Sequence, residues 1–258
     1  MTPVQAMIAK ELKSYFVSPI FYVVAVVFLL SVGILSFVLT QIAAVLAIQQ
    51  MQMQGSGGAQ LNLNDIIFRP LFFWTGFIIF LVLLPLLTMR LFAEERKQRT
   101  FEFLMTSPIR INEIVAGKFL SVCLVFFGVL GMTGLVPFIL GTFSDFDWNP
   151  VMTGYLGLAL MGVLFLSVGA FASATTENQI VAALLAFGTM FFLWLIGLVG
   201  QRLENTWPGD LMTYLSWSIH FEHLLRGLID TKDLVYFVSG IVLMLFLTHR
   251  VLDSVRWK

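Results

Sequence analysis

Five stretches of this chain run for twenty or more residues without one Asp, Glu, Lys or Arg: Ser14–Asn64, Pro70–Met89, Phe119–Ser144, Trp148–Thr176 and Asn178–Gln201. A sixth, Leu234–His249, is shorter and completes a span if Arg250 extends to the interface. A bilayer core is about 30 Å thick, and a helix needs roughly 20 apolar residues to cross it. Barrel strands alternate apolar and polar residues, whereas these runs are continuously apolar, so they read as helices. The expected fold is all-α: one polytopic membrane domain over residues 1–258, with spans near 19–48, 70–90, 115–141, 150–174, 179–201 and 234–252. Charged residues make up 12% of the chain, against roughly a quarter in soluble domains, and apolar residues 59%. That balance excludes a soluble enzyme and a disordered chain. Zero net charge excludes a polycationic nucleic-acid binder. A lone cysteine, Cys123, excludes an intrachain disulfide and a multi-cysteine metal site. The first run has no short apolar core followed by a small-residue cleavage site, so it reads as a retained span.

Six spans put both termini on one side. That side holds eleven Lys and Arg residues: Lys10, Lys13, Arg90, Arg96, Lys97, Arg99, Arg110, Lys118, Arg250, Arg256 and Lys258. The other holds four: Arg69, Arg202, Arg226 and Lys232. Basic residues concentrate on the cytoplasmic face, so both termini are expected in the cytoplasm.

Ahead of the first span, Thr2 suits an N-cap and Pro3 the first helical position. Val4, Met7, Ile8, Leu12, Tyr15 and Phe16 then recur at helical spacing, which predicts an interfacial amphipathic helix over 1–18. Gln49–Asn64 reads as a polar outer loop, and Pro85 as a kink in span two. Gly128, Gly131 and Gly134 in span three, and Gly154, Gly157 and Gly162 in span four, read as faces for close helix packing. The short turn Ala174–Asn178 makes spans four and five antiparallel neighbours.

Catalytic and metal constellations are sparse. His220-Phe221-Glu222-His223 lacks the H-E-x-x-H spacing of a metalloprotease. His220 and His223 are three apart and could share a helix face, but they read as interfacial polar residues of an outer loop; no metal site and no catalytic residue is assigned. Gly117-Lys118 is no P-loop, because Asn112 and Phe119 stand where Gly and Ser or Thr belong. Nor do the spans carry ionisable residues at depth, as ion-coupled carriers do. A transporter of this kind must draw its energy from another subunit. Within the outer segment 202–233, Trp207–Lys232 mixes Trp207, Trp217, His220, Phe221, Glu222 and Arg226. It suits an interfacial or re-entrant element over an outer mouth, or an ordinary loop.

The charged loop between spans two and three is more specific. Thr100 can cap a short helix with Phe101, Leu104 and Met105 on one face, and Ser107-Pro108 stops it. A short apolar-faced helix on a charged stem suits a groove on a soluble partner; the alternative is a solvated loop that only sets topology. The pattern from Glu94 to Pro108, E-E-R-x-x-x-T-x-x-x-L-x-T-S-P, followed by Gly117-Lys118 at membrane re-entry, resembles the ABC-2 class of ATP-binding-cassette permeases. Ser173–Ala182 and His220–Ser239 look like the gliding-motility-type branch of that class.

The resemblance implies the following. The chain is a permease subunit, an exporter, in a bacterial inner membrane. Residues 99–107 form a coupling helix, and Glu94, Glu95, Arg96, Thr100 and Leu104 couple it to a cytoplasmic ATPase. ATP and magnesium bind that partner, so the permease has no cofactor of its own. A second permease copy or a related permease completes the pathway, and a periplasmic or auxiliary membrane subunit can join it. Family members commonly carry Gly before the coupling-helix Thr, where this chain has Arg99. Two other functions stay open: a membrane scaffold passing ATPase motion to a periplasmic or motility machine, and an intramembrane hydrolase.

Overall fold

The computed structural model describes residues 2–52, 62–98, 100, 110–144, 146–203 and 206–255. Among these residues every regular element is a helix, in the order α1 (Pro3–Val17), α2 (Pro19–Gln52), α3 (Arg69–Trp74), α4 (Phe80–Thr88), α5 (Ala93–Lys97), α6 (Ile111–Thr133), α7 (Leu135–Phe143), α8 (Trp148–Thr175), α9 (Gln179–Arg202), α10 (Trp207–Leu215), α11 (Trp217–Leu225) and α12 (Thr231–Val255). Six segments are long and apolar enough to cross a membrane: Pro19–Gln50, Asn64–Lys97, Ile111–Phe143, Trp148–Thr175, Gln179–Arg202 and Thr231–Ser254. The chain is an all-α, multi-pass membrane protein.

Span four, α8, is the centre of the bundle. It packs against spans two, three, five and six, and 72% of its most apolar window is buried. Span six is its opposite, with 11% buried, and spans one and five are little more covered at 22% each. Apolar side chains such as Val23, Leu184 and Val242 therefore face outward, where lipid replaces water as the solvent. Glycine lets α8 come close to its neighbours. A Cβ at Gly154 would strike Phe72, at Gly157 Phe221, and at Gly162 Phe126. The span-three glycines behave differently from their expected role. Nothing lies within 4 Å of a Cβ built at Gly128 or Gly131. Both face outward, so among the described residues they pack against no other helix.

Helix irregularities have local causes. Span two contains two π-helical turns, Asn64–Phe68 and Thr75–Ile79. Pro85 sits inside α4, and the helix continues past it to Thr88. Span three breaks at Gly134, between α6 and α7. Pro137 has no N–H to offer the Thr133 carbonyl, which removes a helical bond across that break. Span one, by contrast, continues as helix to Gln52, four residues past the expected exit. Gln and Met are good helix formers, so polarity alone does not end it.

The amphipathic α1 has the expected cap. Thr2 Oγ1 accepts from the Gln5 N–H, while the Gln5 side chain accepts from the Thr2 N–H. Its stripe lies partly on protein. Met7 is buried against α6, where a Cβ on Gly117 would come within 2.8 Å of it. Tyr15 donates to the Leu87 carbonyl at 3.2 Å. Phe16 and Val17 remain exposed.

Candidate functional site

Two polar assemblies occupy opposite ends of the bundle. At the first end, α1, α5 and the start of α6 meet the end of α8. Lys118 lies on α6 between apolar turns and is 2% exposed. Its Nζ is 2.8 Å from Glu11 Oε1 on α1 and 3.0 Å from Glu95 Oε1 on α5, with the Phe92 ring centroid at 5.7 Å. Lys10 stands 4.0 Å from the same Glu95 oxygen. One buried ammonium thus joins three elements that are distant in sequence.

Helix α5 needs this support because it is only five residues long and Phe92, at its N-cap, supplies no side-chain cap. The cap comes from α8. Ser173 Oγ accepts from the Phe92 and Ala93 N–H groups at 3.0 and 3.1 Å, and donates to the Met89 carbonyl at 3.0 Å. The Arg96 guanidinium donates to the Ala174 carbonyl at the close of the same helix. Serine at 173 therefore does for α5 what an N-cap residue does locally. Ser173→Ala would leave two buried N–H groups and a carbonyl without this partner. The expected cost is about 1–3 kcal/mol, since an unsatisfied buried group loses its full desolvation compensation. A thermal unfolding midpoint below that of the parent protein in the same detergent checks it.

Of the residues assigned to ATPase coupling, Glu95 and Arg96 are committed inward, to Lys118 and to the α8 terminus. Glu94 is half-buried at the edge of a recess with Tyr15 and Arg90, and the Gln98 amide reaches it at 3.5 Å. Thr100 is exposed, and its N–H and hydroxyl both turn back to the Glu95 carbonyl. The rest of the coupling helix expected over 99–107, including Leu104 and Arg99, lies outside the described residues.

At the opposite end, α10 and α11 form a helical hairpin that dips into the bundle. Trp217 Nε1 donates to the Met190 carbonyl at 2.9 Å. Met190 is twelve residues before the end of α9, or roughly 18 Å along the helix at 1.5 Å per residue. Trp217 and Phe221 are fully buried. Phe165 packs edge-on to Trp217, and Phe221 fits between Gly76 and Gly157. The non-helical corner at Ser216 is completely buried, with its N–H on Thr213 and its hydroxyl 3.0 Å from that of Ser218. That corner lies against Gly197, five residues before the end of α9, and protein covers its irregular backbone.

The two histidines here correct the expectation of a pair of interfacial loop residues. His220 is buried. Its Nδ1 is 2.6 Å from Asp233 Oδ1 and its Nε2 is 2.9 Å from the Tyr214 carbonyl. Both ring nitrogens thus lie within hydrogen-bond distance of an oxygen, one from a carboxylate side chain and one from the backbone. Tyr236 stacks on the imidazole at 4.1 Å and donates to the Leu215 carbonyl. His223 is half exposed and reaches Asp233 Oδ2 at 3.1 Å. Asp233, at the start of α12, is 1% exposed. The cluster therefore ties α10, α11 and α12 together.

Glu222 joins α11 to the start of span two through two arginines. A single oxygen, Oε1, accepts from Arg226 at 2.7 Å and from Arg69 at 2.8 Å. The Arg226 hydrogen bond, supported by Arg69, holds this carboxyl below the usual carboxylate range against the opposing effect of partial burial. Its stabilising share is present at neutral pH and is lost as pH falls through the lowered value. Arg69, Glu222, Asp65, Phe73 and Trp74 line an open recess of about 460 Å³ beside it.

Sequence reasoning passed over Lys118, Glu11, Ser173 and Asp233 as site residues. A signal existed for two of them: Lys118 stands alone in an apolar run, and Glu11 interrupts the apolar face of α1. The family model described as "ABC-2 family transporter protein" matches residues 53–247. No curated protein matches the chain.

Proposed function

The chain belongs to the ABC-2 family of transporter proteins, and on that premise we propose that it is the permease subunit of an exporter driven by a separate cytoplasmic ATPase. The observation that carries this reading is the assembly around Lys118 and Ser173. It anchors α5 to α1, α6 and α8 immediately before the segment 99–107, so a push on that segment reaches the core of the bundle rather than a free loop. Glu95 and Arg96 act here as positioning residues. Glu94, Thr100 and Leu104 are left to meet the ATPase. The termini and α5 lie on the cytoplasmic side of a bacterial inner membrane, in keeping with the eleven-to-four distribution of Lys and Arg. The α10–α11 hairpin then covers the outer half of the pathway. A second permease copy completes that pathway, and the Ser173–Ala182 and His220–Ser239 stretches support a place in the gliding-motility-type branch.

Leu104→Asp tests the docking. A carboxylate forced into an apolar groove should weaken ATPase binding at least tenfold, which corresponds to about 1.4 kcal/mol. Membrane insertion should survive. Co-purification of the ATPase, with permease expression as control, reads the effect; undiminished binding would remove the docking helix from the mechanism. ATP-dependent solute accumulation in proteoliposomes separates an exporter from a scaffold that only transmits motion.

A further inference from the structure

We infer that the groove between α6 and α12 is a binding site for an anionic phospholipid, at the end of the bundle that carries α1 and α5. The groove has a volume of about 560 Å³. Small-molecule sites span roughly 300–1,000 Å³, so it holds a head group and the upper acyl chains while the chain ends remain in the bilayer. Its walls are apolar: Val115 and Ala116 on α6, and Val242, Leu245 and Phe246 on α12. Its mouth is polar: Asn112 at the first turn of α6, with His249 and Arg250 on α12.

Three observations point to an anion with apolar tails. First, span six is the least covered of the six, and Val242 and Phe246 are 60% and 51% exposed, so the groove opens to lipid. Second, the Arg250 guanidinium lies 5.1 Å from the centroid of the Phe246 ring, one turn back towards the apolar part of the helix. The cation is held over the groove, and among the described residues no carboxylate pairs with it. Third, the carboxylates nearest in sequence do not compete. Glu113 accepts from the Arg110 N–H at 2.9 Å, and neither it nor Asp253 lines the groove. A cation and two further polar side chains above an apolar trough match a phosphate above two acyl chains. Basic pockets between membrane helices bind acidic head groups on this principle. A zwitterionic lipid would bring an ammonium group to the same cation and gain less.

The test uses the protein in detergent, titrated with dioleoyl phosphatidylglycerol or dioleoyl phosphatidylcholine and read by native mass spectrometry. Phosphatidylglycerol should be retained at least fivefold better than phosphatidylcholine. Arg250→Gln combined with His249→Gln should erase that preference, because it removes the charge at the mouth. Ala116→Trp should also erase it by filling the trough with the Arg250 charge left in place. Lys13→Gln, which removes an exposed charge from α1, should change nothing. Thermal midpoints of all variants control for folding, and the Arg250 and His249 changes stand on their own if Ala116→Trp fails to fold. Equal retention of the two lipids by the parent chain would overturn the proposal, as would full phosphatidylglycerol binding by the double variant. Displacement of the lipid by millimolar inorganic phosphate, with Ala116→Trp silent, would reassign the mouth to a free anion. Conversion of a dimer to a monomer by Ala116→Trp, without lipid binding, would reassign the groove to a second copy.

Discussion

Replacing Lys118 with methionine should be among the most damaging single changes in this protein. The methylene stem is kept and the ammonium is lost, so Glu11 and Glu95 face each other across a buried gap with no cation between them. Breaking a buried ion pair by removing one partner costs about 3–5 kcal/mol. Lys10 offers partial relief, since it already approaches Glu95 to 4.0 Å, so the lower half of that range is expected. Unfolding midpoints in detergent should fall accordingly, and α1 should become accessible to protease. Neutralising the carboxylates as well, in Lys118→Met/Glu11→Gln/Glu95→Gln, should recover most of the loss, because the penalty comes from stranded charge. A triple variant as unstable as the single one would mean that packing, and not charge, governs the junction.

Asp233→Ala should have a comparable effect at the other end. His220 loses the acceptor of its Nδ1 group while remaining enclosed by Tyr214 and Tyr236, and His223 swings free. The expected cost is about 3 kcal/mol, at the low end of the range for a broken buried pair. The contact between Nε2 and the Tyr214 carbonyl remains, which limits the loss. Asp233→Asn keeps one acceptor oxygen and should cost nearer 1 kcal/mol, the net worth of an ordinary hydrogen bond. Unfolding midpoints rank the two variants, and cleavage between α9 and α12 by an added protease reports whether the α10–α11 hairpin has come loose. Equal midpoints for Ala and Asn would show that the carboxylate charge does not hold the hairpin.

Composition and run length alone determined that this chain crosses a membrane as helices, and that it does so six times. That inference needs no partner contacts. Each apolar run satisfies its own backbone within the helix, and the bilayer accepts its side chains whichever neighbours they find. The cap of α1 was equally legible, because Thr2, Pro3 and Gln5 act on one another within a single turn. Tertiary structure decided everything that joins distant runs. Gly128 and Gly131 carry the same small-residue pattern as Gly154 and Gly157, yet only the latter meet a neighbour, since a helix face shows its packing partner only once the bundle is assembled. Lys118 looked like one more topological charge until Glu11 and Glu95, 107 and 23 positions away, closed around it. His220 read as a loop residue because its partners, the Tyr214 carbonyl on α10 and Asp233 on α12, lie on the helices before and after its own. Buried polar groups must be paired to exist at low dielectric. Sequence shows the residue that needs a partner, and only the fold shows which partner it has.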